Sequence, residues 1–489
     1  MRLNPLLQSA GIGTILADPE ITSLTCDSRQ AGPGSLFFGL PGIKADGAEF
    51  VAQAFEKGAA AAVVEKAPAV AAGPIVVVPN ARLAMSAIAS AFHANPSGSL
   101  QCLGVTGTNG KTTTAFLMRH LMEAAGRPCG LIGTIKYVVG GEEIGAPRTT
   151  PESLELQELL ARMRDVGSRA VAMEVSSHAL AQSRADHIAF DAAIFTNLTQ
   201  DHLDYHGSMD AYFEAKAHLF DLLASGTQKK GRAIINADDR YGHRLIERCA
   251  KTVKTITYGR GALADFRASA IRAEGAGTTF QLDARGKSFL VRLPLIGLFN
   301  VYNALGALAA VTTCGIELRA SIAALADAPQ VPGRLQRVPA KRNFHVYVDY
   351  AHTDDALRNV LRTLRELQPA RLITVFGCGG DRDRAKRPLM AAAAEELSDW
   401  TVVTSDNPRR EEPEQIIADV KTGLRGNRFE AITDRESAIR RAIEMAAAGD
   451  IVLIAGKGHE TYQEFADRRI PFDDAAIAAR AIADKRIET

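Results

Sequence analysis

The sequence of 489 residues predicts an α/β protein of three domains, each built on a mainly parallel sheet flanked by helices. Short apolar runs alternate with amphipathic helical patterns along most of the chain. Polar, turn-rich segments at residues 95–99 and 331–334 interrupt this alternation. The predicted domains are therefore residues 1–98, 99–332 and 333–489.

Composition excludes several classes of protein. The 57 Lys and Arg residues balance 56 Asp and Glu residues, so no basic surface for nucleic acid is expected. No apolar stretch is long enough for a membrane span, and residues 1–18 lack the pattern of a signal peptide. The six cysteines form no C-x-x-C pair and are expected to be reduced, which favours the cytoplasm.

The first domain is predicted to alternate short strands with helices. Strands are expected at residues 35–40, 60–65 and 75–78, and helices at 48–57 and 81–92. These patterns alone fit a small α/β domain with tight turns as well as a ligand-binding module.

A strand–loop–helix turn opens the second domain. The apolar run at 100–105 leads into V-T-G-T-N-G-K-T-T at 105–113, which is followed by a helical pattern. Glycines and a helix N-terminus allow backbone N–H groups to bind phosphate oxygens. The loop departs from G-x-x-x-x-G-K-[ST] because Val105 occupies the first glycine position. We expect ATP to contact Gly107, Thr108, Asn109, Gly110, Lys111, Thr112 and Thr113.

Two strands farther along also end in polar residues. The run at 170–173 leads to Glu174, a carboxylate suited to Mg²⁺, together with the Thr112 hydroxyl. The run at 192–195 leads to His202 and His206, which are four residues apart. A zinc pair on one helix face is the alternative interpretation, but no cysteine is near and the neighbouring aspartates favour a harder cation.

Lys216 is predicted to lie on the apolar face of a helix over residues 209–223. Tyr212, Leu219, Phe220 and Leu223 share that face by the helical period. Burial would lower the pKa of the ammonium group and give a neutral amine that can add carbon dioxide to form a carbamate. The alternative is a lysine whose ammonium group reaches solvent.

The third domain, predicted to be Rossmann-like, has strands at 346–349, 372–376, 401–404 and 451–455. The second strand precedes G-C-G-G-D-R, which is no dinucleotide fingerprint because Arg382 replaces the third glycine. The third strand leads to D-N-P-R at 406–409, and the fourth to G-K-G-H-E at 456–460. A guanidinium binds a carboxylate through two hydrogen bonds, so Arg409 and Arg382 suit an acidic substrate. A surface salt-bridge loop is the alternative.

Five motifs resemble those of the Mur ligase family: T-G-T-N-G-K-T, D-H-L-D-Y-H-G, Y-F-E-A-K, N-A-D-D and D-N-P-R. The resemblance implies a central P-loop ATPase domain and a ligase that joins a carboxylate to an amine through an acyl phosphate. It also implies a role in peptidoglycan synthesis, and hence in cell wall biogenesis, cell shape and cell division. The family's metal chemistry implies two Mg²⁺ ions and catalytic roles for Lys111, Glu174, His202 and a carbamylated Lys216.

The same resemblance assigns the remaining contacts. ATP would also be bound by Asn300, Asn303, Arg334 and Asp349. A UDP-linked substrate would be bound by Ser28, Lys44, Ala45, Thr149, Thr150, Ser176, Gln182 and Arg184. Diaminopimelate would be bound by Arg382, Asp406, Asn407, Arg409, Gly456 and Glu460. Asp354 stands where the family has a proline, which puts the rigidity of that loop in question.

The resemblance implies the substrates ATP, UDP-MurNAc-L-Ala-D-Glu and meso-diaminopimelate. The amino acid follows from D-N-P-R, which is typical of family members that add meso-diaminopimelate. A monomer without nucleic-acid or membrane partners is expected. A folylpolyglutamate synthase is the nearest alternative enzyme, although the N-terminal module and D-N-P-R argue against it. A nucleotide-switch or transport ATPase is the alternative from another class, and it would hydrolyse ATP with no amino acid present.

Overall fold

The computed structural model describes residues 1–42, 45–68, 72–226, 229–274, 277–340 and 342–485. It confirms the α/β class, with three separate sheets of four or more strands that are mainly parallel. The chain forms two compact units, the first comprising Met1–Arg267, Asp283–Lys287 and Tyr302–Ala324, and the second the rest. Among the described residues, no helix combines the length and apolar character needed to cross a membrane. The three predicted domain ranges stay predictions.

The N-terminal sheet has four parallel strands in sequence order. Its elements are α1 (Leu3–Ser9), β1 (Ser23–Thr25), β2 (Ser35–Gly39), α2 (Val51–Glu56), β3 (Ala61–Val64), β4 (Ile75–Val77) and α3 (Ala81–Phe92), with 3-10 turns at Ser28–Gln30, Gly47–Phe50 and Pro96–Gly98. Leu36 and Phe38 pack with α1 and α3, whereas Phe37 packs with α2, because successive strand residues face opposite sides. The single helix predicted over 48–57 is a 3-10 turn followed by α2.

The central sheet has β5 in its middle, between β9 and β10. Its first elements are β5 (Gln101–Thr106), α4 (Lys111–Ala124), β6 (Cys129–Ile132), β7 (Lys136–Val139), β8 (Glu142–Gly145), α5 (Ser153–Asp165), β9 (Ala170–Glu174), α6 (Ser177–Ala181) and β10 (Ala192–Phe195). The next are α7 (Leu203–His206), α8 (Met209–Ser225), β11 (Arg232–Asn236), α9 (Arg240–Cys249), β12 (Lys254–Gly259), β13 (Phe266–Glu274), β14 (Gly277–Ala284), β15 (Lys287–Leu293), α10 (Leu298–Thr313) and α11 (Leu318–Leu325).

Strands β12, β11, β10, β5, β9 and β6 run parallel in that order, and β7 and β8 are antiparallel at one edge. The carboxyl ends of β5, β9 and β10 therefore meet at one edge of the sheet, where the chain reverses its strand order. Ligands bind at such switch points in α/β proteins.

The C-terminal sheet has the order β16-β17-β21-β18-β19-β20, with only β16 antiparallel. The elements are β16 (Gln336–Val338), β17 (His345–Asp349), α12 (Asp354–Arg365), β18 (Leu372–Phe376), α13 (Lys386–Leu397), β19 (Trp400–Val403), α14 (Pro413–Lys421), β20 (Phe429–Ala431), α15 (Arg435–Met445), β21 (Ile451–Ala455), β22 (Tyr462–Glu464), β23 (Arg469–Pro471) and α16 (Asp474–Asp484). Helices α12–α14 cover one face and α15–α16 the other. The strands predicted at 372–376 and 451–455 are confirmed at those bounds.

Candidate functional site

The phosphate loop lies between β5 and α4, as the sequence predicts. Gly107 and Gly110 have φ angles of 145° and 90°, which favour glycine. A Cβ atom at Gly107 would lie 1.8 Å from Thr196 Oγ1, and one at Gly110 would lie 2.4 Å from Asn303 Oδ1. Helix α4 begins at Lys111 with no side-chain cap. A helix N-terminus without a side-chain cap is suited to binding an anion.

Two lysines donate to the same backbone oxygen of this loop. Lys111 Nζ lies 2.9 Å from Gly107 O and 2.8 Å from Thr108 O. Lys216 Nζ lies 2.7 Å from Gly107 O and 4.5 Å from the centre of the Tyr212 ring. The Tyr212 hydroxyl lies 3.2 Å from Thr108 Oγ1. Hydrogen bonds from Tyr212 and Lys216 therefore connect α8 to the phosphate loop.

The predicted burial of Lys216 is confirmed, and the solvent-exposed alternative is wrong. Its relative exposure is 1%. Desolvation lowers the pKa of the amine well below its usual value, and the positive charge of Lys111 lowers it further. The neutral, nucleophilic form of this amine is therefore more accessible than it is in an exposed lysine.

Glu174 is the last residue of β9 and is 1% exposed. Its Oε2 atom accepts hydrogen bonds from Thr112 Oγ1 and Thr134 Oγ1, each at 3.1 Å, and its Oε1 atom accepts one from Thr134 N at 2.8 Å. Thr134 Oγ1 also lies 3.0 Å from Thr149 Oγ1. A buried carboxylate beside hydroxyl oxygens fits a hard cation such as Mg²⁺. No sequence motif indicated Thr134.

His202 does not lie on a helix face with His206. It is the residue before α7, in a left-handed conformation with φ of 51°, and its side chain is 47% exposed. Its ring centre lies 4.9 Å from that of His178 and 6.1 Å from that of Tyr212. His206 instead hydrogen-bonds to Ser177 Oγ at 3.0 Å. Desolvation lowers the pKa of His206 to about 4, so it is neutral.

The residues predicted to bind the peptide end of the UDP substrate lie together. Thr150 Oγ1 donates to Glu174 O at 2.9 Å and accepts from Ser176 N at 3.0 Å. Arg184 donates to Gln182 Oε1 at 2.6 Å and to Thr150 O at 3.1 Å. These bonds orient polar groups next to Glu174.

Arginines surround one carboxylate close to these residues. Glu152 forms ion pairs with Arg184 at 2.9 Å, Arg148 at 2.6 Å and Arg82 at 3.7 Å. No sequence motif indicated Glu152 or Arg82.

The N-terminal unit contains a cavity of about 610 Å³. Ser28 and Ala45 line it, as does Gln53, whose Oε1 accepts a hydrogen bond from Ser28 Oγ at 2.6 Å. The predicted residue Lys44 lies outside the described residues. Gln53 was not indicated by any motif.

The two asparagines predicted near ATP are buried in α10. Asn300 is 1% exposed and donates to Ile296 O at 2.8 Å. Asn303 is 4% exposed, and its Oδ1 accepts from Thr114 Oγ1 at 3.3 Å. Asn303 thereby fixes the first turn of α4 against α10.

Asp349 ends β17 and organises the adjoining loops. It accepts hydrogen bonds from Leu335 N at 2.7 Å and Ala351 N at 2.8 Å, and burial raises the pKa of its carboxyl group. The Arg334 guanidinium lies 5.2 Å from the centre of the Tyr350 ring. Asp354 begins α12, where an acidic residue is favourable next to the helix dipole.

The loop at 406–409 is tied to the loop at 456–460. Asn407 Nδ2 donates to Glu460 Oε2 at 2.8 Å. Lys457, which is fully buried, donates to Asn407 Oδ1 at 2.9 Å and to Glu460 Oε2 at 3.0 Å. A Cβ atom at Gly456 would lie 2.7 Å from Asp406 Oδ2, so the two loops approach closely there. Lys457 was missed although it lies inside the G-K-G-H-E motif.

A buried ion pair is hydrogen-bonded to the backbone next to both loops. Arg435 and Asp474 are fully buried and share two hydrogen bonds of 2.8 and 2.7 Å. Arg435 also donates to Ser405 O at 3.3 Å and to Ala455 O at 3.0 Å. These carbonyls immediately precede Asp406 and Gly456, so breaking the pair would leave a buried charge beneath the site.

Arg409 and Arg382 border the same glycine. A Cβ atom at Gly379 would lie 3.0 Å from Arg409 Nη1 and 3.8 Å from Arg382 Cγ. Arg409 donates from Nη1 to Gly380 O at 2.8 Å and from Nε to Glu464 Oε2 at 2.9 Å. Arg382 is exposed. The predicted amino-acid site thus contains paired charges of both signs.

Family models match three parts of the chain. The Mur ligase middle domain matches residues 105–311, the Mur ligase glutamate ligase domain matches 333–458, and the Mur ligase family catalytic domain matches 20–93. These matches cover all three sheets.

Curated relatives match over almost the whole chain. UDP-N-acetylmuramoyl-L-alanyl-D-glutamate--2,6-diaminopimelate ligase of Solibacter usitatus is 47% identical and covers 96% of this chain and 94% of its own. The protein of the same name from Geobacillus thermodenitrificans is 46% identical and covers 96% of each.

Two solved structures extend the comparison. One of UDP-N-acetylmuramoyl-L-alanyl-D-glutamate--2,6-diaminopimelate ligase has a TM-score of 0.75, 37% identity and 99% coverage of both chains. A folylpolyglutamate synthase of Mycobacterium tuberculosis has a TM-score of 0.61, 20% identity, and coverage of 81% of this chain and 94% of its own. The latter likeness concerns the fold alone.

Proposed function

The chain belongs to the Mur ligase family, and on that premise we propose that it is the ATP-dependent ligase that adds meso-2,6-diaminopimelate to the D-glutamate of UDP-N-acetylmuramoyl-L-alanyl-D-glutamate. The reaction belongs to peptidoglycan precursor synthesis. The observation that carries the proposal is identity of 47% to a ligase of this name over 96% of the chain.

The chemistry proceeds in two transfers. The γ-carboxylate of D-glutamate attacks the γ-phosphorus of ATP, ADP leaves with the bonding electrons, and an acyl phosphate forms. The amine of diaminopimelate then attacks the acyl carbon, loses a proton and displaces phosphate, which leaves an amide. Lys111 and the N–H groups at the start of α4 stabilise the charge on the transferred phosphoryl group.

We assign one Mg²⁺ to Thr112 and Glu174, and a second to His202 and a Lys216 carbamate. Mg²⁺ neutralises phosphate oxygens when it is bound. The buried carboxylate of Glu174, 3.1 Å from the Thr112 hydroxyl, supports the first assignment.

The carbamate follows from a neutral Lys216. Its amine attacks the carbon of carbon dioxide and loses one proton, which gives an anionic group on the buried face of α8. The depressed pKa and the 1% exposure support this step. The carbamate oxygens would supply a hard anionic ligand at the position of the neutral amine.

The remaining substrate contacts are also proposals. Ser28, Lys44 and Ala45 bind the uridine, and Thr149, Thr150, Ser176, Gln182 and Arg184 bind the peptide part. Asn300, Asn303, Arg334 and Asp349 serve ATP. The three domains span 1–98, 99–332 and 333–489, and the protein acts as a cytoplasmic monomer.

The charges of the amino-acid site favour diaminopimelate over lysine. Diaminopimelate is lysine with an additional distal carboxylate, so its far end carries both an ammonium and a carboxylate group. Asp406 and Glu460 match the ammonium, while Arg382 and Arg409 match the carboxylate. Lysine would leave the guanidinium groups without a substrate partner.

The test is phosphate release and product mass with ATP, Mg²⁺, the UDP-dipeptide and a panel of amino acids. We expect phosphate and an amide product only when meso-diaminopimelate is present. Phosphate release without any amino acid would instead indicate a nucleotide-switch or transport ATPase. Equal use of L-lysine would contradict the proposed amino-acid substrate.

A further inference from the structure

The hairpin of β22 and β23 carries a carboxylate that contacts the loop at 406–409. We propose that Glu464 is a positioning residue that orients Arg409 and thereby selects an amino acid with a distal carboxylate. This inference rests on the proposed function and deepens it at the same site. None of the motifs in the sequence indicates Glu464.

Backbone and side-chain groups of β22 hold the loop at several positions. Arg409 N donates to Glu464 O, and Glu464 N donates to Asn407 Oδ1, each at 3.0 Å. Gln463 Nε2 donates to Asp406 O at 2.7 Å. These bonds hold three of the four residues of the loop, so β22 positions the loop.

The Glu464 side chain holds two arginines with its two oxygens. Arg409 Nε lies 2.9 Å from Oε2, and Arg469 Nε lies 3.0 Å from Oε1. The side chains of Glu464 and Arg409 are 22% and 21% exposed, whereas that of Arg469 is 62% exposed. Hydrogen bonds from Arg469 and Arg409 lower the pKa of the Glu464 carboxyl group, so it stays ionised. The less exposed pair is the one that faces the site.

Arg409 needs such support because its own backbone conformation is unfavourable. Its φ angle is 53°, a left-handed conformation that costs free energy in a residue with a long side chain. Glu464 Oε2 accepts a hydrogen bond from Arg409 Nε, and Gly380 O accepts one from Arg409 Nη1. Within the described part of the chain, Arg409 Nη2 donates no hydrogen bond, so the outer end of the guanidinium stays available to a substrate carboxylate.

Without Glu464 the Arg409 guanidinium would lose one of its two hydrogen-bond acceptors, and only Gly380 O would remain. Ordering it again would then oppose binding of the substrate, because fixing a long side chain costs conformational entropy. This cost applies to a substrate that uses Arg409. L-Lysine lacks the distal carboxylate, so any turnover of L-lysine is not expected to fall in the same proportion.

The experiment compares full-length wild type with Glu464→Ala and Glu464→Gln in steady-state assays with ATP, the UDP-dipeptide and meso-diaminopimelate. We expect Glu464→Ala to raise KM for meso-diaminopimelate roughly tenfold, which corresponds to about 1.4 kcal/mol of binding free energy. Glu464→Gln retains an acceptor oxygen, so its KM for meso-diaminopimelate is expected to lie between those of wild type and Glu464→Ala. The KM values for ATP and the UDP-dipeptide are expected to stay at wild-type levels.

Arg469→Gln is the matched control, because it removes the exposed partner of the same carboxylate. We expect all its KM values to stay within about twofold of wild type, as for other exposed ion pairs. Unchanged meso-diaminopimelate KM and unchanged preference over L-lysine in folded Glu464→Ala would overturn the role of Glu464 alone. A parallel rise of all three KM values would also overturn it, by indicating general disruption. Lack of meso-diaminopimelate turnover in wild type would overturn the proposed function and this inference together.

Discussion

The phosphate loop and the loop at 406–409 hold their cations in different ways. Lys111 and Lys216 both donate to Gly107 O, and burial lowers the pKa of Lys216. Arg409 and Lys457, by contrast, donate to the carboxylates of Glu464 and Glu460. Crowding two amines at one carbonyl disfavours one of the two charges, whereas pairing each cation with a carboxylate preserves both. The first arrangement suits chemistry at an amine, and the second suits recognition of a substrate with charges of both signs.

The comparison is sharpest at Lys111, which we expect to act on the transferred phosphoryl group. Lys111→Ala should reduce phosphate release by about 10³-fold or more, since such a contact is worth several kcal/mol in the transition state. Calorimetric titration should show wild-type affinity for the UDP-dipeptide. A variant that keeps a tenth of wild-type turnover would contradict this role.

Lys216 tests whether a neutral amine at the phosphate loop serves as a carbamate. We expect Lys216→Ala to lose about 10²-fold in turnover and to recover part of it when formate is added, because formate supplies the missing anionic oxygens. The control is Lys111→Ala, which formate should not restore. A high-resolution map of active, metal-loaded enzyme with density ending at Nζ would rule out the carbamate.

Arg409 tests the recognition side of the comparison. Arg409→Ala is expected to lower kcat/KM for meso-diaminopimelate by about 30-fold, because the substrate carboxylate would be left unpaired at a cost of ~2 kcal/mol. Arg409→Lys should recover only part of this, since an ammonium cannot reproduce two parallel hydrogen bonds. The kcat/KM for L-lysine should rise little in Arg409→Ala. An unchanged preference between the two amino acids in Arg409→Ala would contradict the assignment.

The smallest expected effect concerns stability, and it isolates the buried amine from catalysis. The folded state lowers the pKa of Lys216, so between that value and about 10.4 the unfolded chain binds a proton that the folded chain does not. Stability therefore falls as pH decreases through this window. Lys216→Met removes the amine but keeps an apolar chain of similar length.

We expect Lys216→Met to raise Tm by about 2–4 °C in metal-free, bicarbonate-free buffer, with a larger gain at pH 6 than at pH 9. Calorimetry at both pH values measures this, and Lys230→Met, at an exposed lysine, is the control. An equal Tm change at both pH values would show that the amine stays protonated in the folded protein.

Local sequence patterns predicted the elements that carry the site. The strand bounds at 192–195, 372–376 and 451–455 are confirmed, and β17 begins one residue before the predicted 346, because buried parallel strands leave continuous apolar runs. The face of α8 that carries Lys216 also followed from the helical period. Glycines and polar residues at strand ends then indicated where ligands would bind.

Contacts between residues distant in sequence were decided only by the tertiary structure. The sequence alone determined the fold class, the phosphate loop and the apolar surroundings of Lys216, since each depends on residues close together along the chain. It gave no sign that Glu464 lies 2.9 Å from Arg409. It gave none that Thr134 donates to Glu174, or that Arg435 lies beneath Ser405 and Ala455. Such partners are brought together by the packing of separate loops and strands, and a polar residue on one strand has no local pattern that names its distant acceptor.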